Sequence, residues 1–500
     1  MALKTNKKIW LKYGSGLFVL LAVFLLVTMG RMMAFQAPPL AKPLPPQPEV
    51  FSASDLMVTA QHISKAVQFQ TISVQAGTNE DHTADFIAFH QWLEATYPAL
   101  YATLKVEHVN RFGLIMTWQG RNPSLKPLII IAHQDVVPAP DENHNWQAPP
   151  FSGLIKRGYI WGRGSIDDKG PLISIFEAVN KAIQTKAKPE RTLIIVSGFD
   201  EELSGTMGAK AMAEHLKQAG IKPYAIFDEG YPLLEDFPIT NKPTALIGTS
   251  EKGYMTLKIT ATSREGHSST PPKQTAVGQL ALALVALQNT PIRMGTDGDV
   301  HTMLRYVSSD LSGPEKYLIA NGDIFKPVVM WAFSRSNAAT ALLKTTMAPT
   351  MLKGSDKENI LPQQAYALVN LRLHPRDNSA DLTRQVQASL RSIKGVEVTV
   401  EPDAMQAVPS AGLGAPFELA RAVISSLAPE AKTAPALMIA ATDSHHLSGL
   451  STQIYRFTPM RATEEEYSHI HGFNERLSLS NVRFMSLFYY RLIMQSGSYE

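Results

Sequence analysis

The sequence predicts an α/β protein: a mostly parallel sheet with crossover helices, divided in sequence by an inserted α+β unit. Three observations predict it. First, short continuous apolar runs such as Leu128-Ile129-Ile130-Ile131 and Leu193-Ile194-Ile195-Val196 alternate with stretches of helical period, as expected for strands buried on both faces. Second, beyond Lys252-Gly253 the runs alternate, from Tyr254 to Thr260, Tyr366 to Arg372 and Val396 to Val400, which marks strands with one wet face. Third, continuous apolar character resumes near Ser410, with Thr452 to Phe457 as a strand. The partition that follows is a main unit in two pieces, 51–252 and 404–500, around an insertion at 253–403; 500 residues are enough for more than one core.

Taken in order, the chain opens with Lys4, Lys7, Lys8 and Lys12 ahead of an uncharged, mostly apolar stretch from Gly14 to Gly30, followed by Arg31. More lysine before the stretch than after it predicts a cytoplasmic N-terminus. No clean small-residue cleavage site follows, so residues 1–36 read as an uncleaved membrane anchor rather than a signal peptide. Residues 37–50 are proline-rich and read as a semi-rigid spacer. The expectation is a body held outside the cytoplasm, on a bacterial inner membrane facing the periplasm, with secretion from a eukaryotic cell as the alternative. Leu56, Ala60, Ile63 and Val67 recur at helical spacing. Pro171 sits where prolines open helices, ahead of Leu172, Phe176, Val179 and Ile183 on one side. Ala225-Ile226-Phe227 is a further buried strand, and Phe484, Phe488 and Leu492 share a face of a last helix.

Composition narrows the chemistry. With no cysteine in the chain, disulfides, thiolate metal sites and cysteine nucleophiles are excluded, so a metal has only His, Asp and Glu to sit on. A net charge of +3 without a long basic run speaks against a nucleic-acid partner. One short span encloses no transport pathway.

The polar residues of interest lie just after the buried strands, where parallel sheets gather ligands at their carboxyl ends. His133 and Asp135 follow the first strand, and a carboxylate there can fix the ring of a metal-binding histidine. The glycine-rich turn Gly162 to Gly164 delivers Asp167-Asp168 to a helix start; a capping carboxylate is the plain alternative. Asp200-Glu201-Glu202 ends the next strand, and Glu201 and Glu202 should point different ways, one to a metal and one to water. Asp228-Glu229 ends the third, and His469 and His471 come near the C-terminus. Singly each is weak; together they offer an oxygen-and-imidazole set suited to zinc.

The ordered segments HQDVVP, GRGSIDDKG, DEE, FDEG and IHGFNE resemble the M20 family of metallopeptidases. EGHSSTPP, NILP, NLRLHP and ATDSHHLSGLSTQIYRF narrow the resemblance to its carboxypeptidase S branch. The resemblance runs from Phe51 to the C-terminus and implies a zinc-exopeptidase-like sheet with an inserted lid or dimerisation-type unit. It implies two Zn(2+) ions per subunit, held by His133, Asp167, Glu202, Asp228 and His471. Asp167 would bridge them, with a cis peptide to Asp168, and Asp135 would orient His133. Glu201 would be the general base, His267 the oxyanion stabiliser, and Arg372, with Asn359, the grip on the substrate carboxylate. The implied reaction is hydrolysis of an amide bond next to an amino acid with a free carboxylate, on a small peptide or on an N-acyl-amino acid, the latter by hydrolysis or synthesis. A scaffold that has lost its chemistry is disfavoured, since the base and every implied ligand are present. Two departures stand out: Thr442-Asp443-Ser444-His445 carries His where the branch has Arg, and the insertion holds a long stretch from Pro291 to Gly354. Monomer and homodimer both stay open.

Overall fold

Leu128–Ile131 sits inside an eight-stranded sheet because both of its faces have something to bury. Ile129 and Ile131 pack with Ile194, Val196, Met212 and Leu216 on one side, while Leu128 and Ile130 pack with Leu193, Phe176 and Phe488 on the other. A computed structural model gives this architecture and describes residues 3–45, 49–74, 81–140, 145–296, 298–402 and 404–499. The strand order is Lys105–Val109, Gly113–Trp118, Leu193–Ser197, Leu128–Ile131, Ala225–Phe237, Ile454–Ala462, Lys242–Glu251, Lys432–Met438. The central pairings on Leu128–Ile131 are parallel, as is Ile454–Ala462 on Ala225–Phe237; Lys105–Val109 and Gly113–Trp118 add an antiparallel margin. Helices Ala53–Val67, Lys169–Gln184 and Leu479–Gln495 cover one face, and Ala209–Gln218 covers the other. The expected helical spacing is realised: Ala60, Ile63 and Val67 are buried on the first of these helices.

The chain leaves this sheet at Glu251 and enters a four-stranded antiparallel sheet at Gly253. Its order is Thr346–Lys353, Gln364–Leu373, Gly253–Thr262, Val396–Val400. Helices Ala276–Gln288 and Ser379–Leu390 close one face over Leu257, Ile259, Val369 and Leu371; the other face is wetter, as the alternation predicts.

Two features depart from the sequence reading. The stretch from Pro291 folds into short helices Asp299–Tyr306, Gly313–Ala320, Lys326–Phe333 and Asn337–Leu343, and these pack against the eight-stranded sheet rather than the inserted one. Val300, Met303 and Leu304, at helical spacing, cover Phe237, Leu246, Ala434 and Ala436, an apolar patch at the sheet's far side. The proline-rich segment, whose residues 46–48 lie outside the described residues, is a strap along the body rather than a spacer. Its backbone carbonyls are acceptors without competing N–H groups at the prolines, and the body supplies donors. Arg305 donates to the Gln36 carbonyl at 3.1 Å, Arg421 to that of Pro39 at 3.0 Å, and the Tyr499 hydroxyl to that of Lys42 at 3.2 Å.

Ahead of the strap is the helix Leu3–Ala34. Its Gly16–Ala34 part is long and apolar enough to cross a membrane by length and composition. The C-terminal end of that helix docks on the body. Thr28 is buried, receives the Tyr317 hydroxyl at 2.9 Å and the Asn321 side-chain amide at 3.1 Å, and Arg31 grips both oxygens of Asp323.

Candidate metal centre

The loops that leave three neighbouring parallel strands converge, and a C-terminal turn closes over them. His133 comes from the first loop, and its imidazole is 2 % exposed. Its Nδ1 donates to the Asp135 carbonyl at 3.0 Å and lies 3.3 Å from the Asp135 carboxylate, so backbone and side chain together set the ring. The Asp135 carboxylate also accepts the Ser73 hydroxyl at 2.7 Å and the backbone amides of Glu201 and Glu202 at 3.2 and 3.1 Å. One buried carboxylate therefore positions groups from two loops.

His133 Nε2 faces Asp167 Oδ1 at 2.8 Å, and the other oxygen of Asp167 faces His471 Nε2 at 3.1 Å. His471 also meets Glu202 at 3.2 Å. Asp167 thus presents one oxygen to each histidine, the disposition a bridging ligand needs; its peptide to Asp168 is cis. Ligand atoms gather in three overlapping groups: His133, Glu201 and Glu202; His133, Asp167 and Glu229; and Asp167, Glu202 and His471. The site opens on the His471 side, where that ring is half-exposed.

Asp228 departs from the expectation. Its carboxylate turns away, accepting the amides of Ser444 at 2.8 Å and Glu229 at 2.9 Å, and it enters none of the three groups. Glu229 approaches His133 instead, at 3.7 Å. Successive residues of a strand point to opposite faces, and the turn at Ser444 claims the Asp228 side. Sequence reasoning also missed Glu475, which is buried. It accepts the amides of Ile166 and Asp167 at 2.9 and 3.3 Å and pairs with buried Arg163 at 2.6 Å, holding the turn that carries Asp167. The signal was present in the quoted IHGFNE segment. Gly205 is required where it stands: at φ +61°, a Cβ there would meet the buried Asp443 carboxylate at 2.2 Å.

The electrostatics point to a deficit of positive charge. Burial pushes the Glu201 carboxyl well up; His133 pulls it down, and Asp443, Glu202 and Asp167 push it further up. Burial likewise raises Glu229, with Asp167 adding to it. Burial opposes charge on His133, yet Asp135 and Asp167 outweigh it and hold the ring well above the ordinary histidine value. Hydrogen bonds to Asp167 and Glu202 push His471 up to about 10. The carboxylates that raise both histidines would equally attract cations. A carboxylate-rich, cysteine-free set of this kind fits divalent ions such as zinc.

The remaining expected residues lie in the inserted unit. His267 is exposed on a two-stranded ribbon paired with Ile360, its Nδ1 sharing a hydrogen bond with the Ser269 hydroxyl at 2.8 Å. Asn359 is next to it through its carbonyl, which accepts the Ser268 amide at 3.2 Å. The structure brings these two together but not into the three ligand groups. Arg372 lies over the Tyr254 ring at 5.1 Å near Lys252. Burial and then Arg372 lower the Lys252 ammonium to about 7, a sign of crowded positive charge.

Comparisons with known proteins bear on the fold and the family. The profile of Peptidase family M20/M25/M40 matches residues 129–495. A carboxypeptidase S-like protein of Dictyostelium discoideum is 34% identical over 448 residues, 88% of this chain and 85% of its own length. The N-fatty-acyl-amino acid synthase/hydrolase of Homo sapiens is 34% identical over 460 residues, 90% of each chain. Among solved structures, an M20 family metallo-carboxypeptidase from Sulfolobus solfataricus superposes with a TM-score of 0.61 at 18% identity, covering 89% of this chain and 99% of that one. By this profile match and these relatives, the chain belongs to peptidase family M20, as a metallopeptidase/amidohydrolase of the carboxypeptidase S-like kind.

Proposed function

We propose that the protein is a two-zinc hydrolase of carboxypeptidase or dipeptidase type that cleaves the amide bond next to an amino acid with a free carboxylate. One observation carries the reading: Asp167 offers its two oxygens to two histidines on opposite sides, while Glu201 stands in an overlapping group and has no histidine within salt-bridge range among the described residues. His133, Asp167 and Glu229 would hold one ion, and Asp167, Glu202 and His471 the other. Such ions acidify water and polarise a carbonyl.

The protein's own groups do the rest. Glu201, whose carboxyl burial pushes up, takes the proton of the attacking water as its oxygen bonds to the amide carbon. It then passes that proton to the nitrogen as the C–N bond breaks. His267 serves the oxyanion once its ribbon closes over the centre or a second copy supplies it, in a monomer or a homodimer respectively. Arg372 pairs with the substrate carboxylate, which the crowded positive charge around Lys252 favours. The helix Leu3–Ala34 stays as a membrane anchor with the body outside the cytoplasm, since Thr28 and Arg31 make specific contacts that a removed leader has no use for.

A second reading, hydrolysis or synthesis of N-acyl-amino acids, is favoured by the likeness to the human synthase/hydrolase. The test is free amino-acid release from a panel of dipeptides and N-acyl-amino acids by chelator-stripped, zinc-reloaded protein. Zinc-dependent release that falls about 100- to 10,000-fold in Glu201→Gln is expected. Full activity in that variant refutes the assignment.

A further inference from the structure

The helix Lys326–Phe333 has no polar face: after its first residue it is apolar throughout. A helix apolar all round needs cover on every side, and the body covers only one. Val329 is 4 % exposed, and Met330 and Phe333 pack against the cluster that holds Val300, Leu246 and Ala436. On the other side Val328 and Trp331, three residues apart and so on one face, are 45 % and 63 % exposed, with Ile324 at 41 % in the turn before them. Lys326 and Arg335 flank this face, and the Arg335 guanidinium lies 5.4 Å from the Trp331 ring. An apolar face bearing tryptophan and rimmed by cations has the make-up of a segment that lies in a lipid surface.

The N-terminal helix says what covers it. Thr28 meets Tyr317 and Asn321, and Arg31 meets Asp323. Met32 and Phe35 belong to the same apolar cluster as Met330 and Phe333. The uncharged stretch of that helix ends at Gly30, so Arg31 marks the edge of what hydrocarbon can hold. The docked stripe from Thr28 to Phe35 straddles this edge over about 10 Å, and Lys326–Phe333 is itself only about 12 Å long. Val328 and Trp331 therefore stand near the level of the lipid surface. The strap fixes them there, because the Gln36, Pro39 and Lys42 carbonyls are all held by the body and leave no loose leash. Leu25, Leu26 and Met29 stay exposed on the N-terminal helix itself, so the lipid that covers them reaches the adjoining face without further fitting.

We propose that the face carrying Ile324, Val328 and Trp331 lies in the lipid surface around the N-terminal helix, a second membrane contact that seats the body directly on the bilayer. The inference rests on the membrane-anchor reading above and concerns where the body sits, not its reaction.

The chain has no cysteine, so Val328→Cys, Trp331→Cys and, on the inserted unit, Leu352→Cys each give one site for a bimane label. The full-length protein is placed in vesicles of phosphatidylcholine and phosphatidylglycerol, with alkaline carbonate extraction as the check on the anchor. The labels at 328 and 331 are expected to be quenched by lipid carrying a doxyl group near its head. Iodide should quench them about fivefold less than the label at 352. Adding Ile324→Glu and Val328→Glu to the Trp331→Cys protein, with melting temperature as the folding check, should restore iodide access. Labels open to iodide and untouched by doxyl lipid, in protein that resists carbonate, overturn the inference and leave the anchor intact. Doxyl quenching that survives both glutamates overturns it as well. Labels shielded from both quenchers, with dimers trapped by cross-linking, overturn it in favour of a second copy of the chain. Protein released by carbonate removes the anchor reading and this inference with it.

Discussion

Two clusters of ionisable side chains lie one strand apart, and they are balanced in opposite ways. At the metal centre His133 and His471 face Asp167, Glu201, Glu202 and Glu229. On the adjacent strand Arg456, opposite Asp228 in register, meets Glu251 at 2.6 Å with both side chains fully buried, and His445 lies 3.5 Å from the same carboxylate. The second cluster closes its charges within the chain, while Arg456 Nε and Nη1 make no hydrogen bond among the described residues; the first requires ions from outside. The comparison teaches that burial alone does not mark a functional site: the informative quantity is whether the charges sum to near zero among fixed neighbours. His445, the departure from the branch pattern, belongs to the closed cluster.

The sharpest way to break the comparison is to open the closed cluster. Arg456→Met strands the Glu251 carboxylate and is expected to cost about 3–5 kcal/mol of stability, with most of it recovered on adding Glu251→Leu; urea denaturation measures both. The metal centre is expected to behave the other way. Glu202→Gln removes repulsion from the metal-free protein, so chelator-stripped variant melts at or above the wild type while zinc binding and activity collapse. A metal-free melting point several degrees lower contradicts the proposed excess of acid.

A smaller effect tests the support beneath the centre. Glu475→Gln weakens the hold on the Ile166 and Asp167 amides and on Arg163, and is expected to lower zinc affinity or activity about 10- to 100-fold. Competition against a fluorescent chelator reads the affinity. The smallest effect is a pH dependence. His471, at about 10 in the metal-free protein against about 6.5 unfolded, contributes stability that is fully present below about pH 6.5 and is lost as pH rises through about 10. The melting temperature of stripped wild type minus that of stripped His471→Gln should therefore shrink across that window. Zinc binding at pH 7 should release the His471 proton, seen as buffer-dependent heat in calorimetry. A difference flat with pH, or zinc binding without proton release, shows that the ring is not charged by its acidic neighbours.

Much of the main unit was legible because its signals are local. Leu128–Ile131 and Leu193–Ser197 are continuous apolar runs, and His133, Asp167, Glu201 and Glu202 follow from where buried strands end. Asp228 and Glu229 were not separable, because which neighbour faces the centre depends on the Ser444 amide, 216 residues away. Glu475 acts on a backbone amide 309 residues away, and no spacing rule reports a contact of that kind. His267 and Asn359 were recognised by resemblance alone, and the structure places them together on an exposed ribbon outside the ligand groups. The helices from Asp299 to Leu343 are too short for a firm period. Their packing onto the wrong-seeming sheet is a tertiary choice, set by the apolar patch at Leu246 and Ala436.

The strap has a consequence in time. Lys42 and Tyr499 are 457 residues apart in the chain, and Glu49 and Arg483 are 434 apart. At about 5–20 residues per second of synthesis, Lys42 waits roughly 20 to 90 s for its partner to be made. Throughout that interval the surface the strap will cover is incomplete, and the apolar helix before it has already left the ribosome. The first part of the body to be synthesised is therefore among the last to be fastened, so a ribosome stalled late in the message holds a body whose strap is still loose.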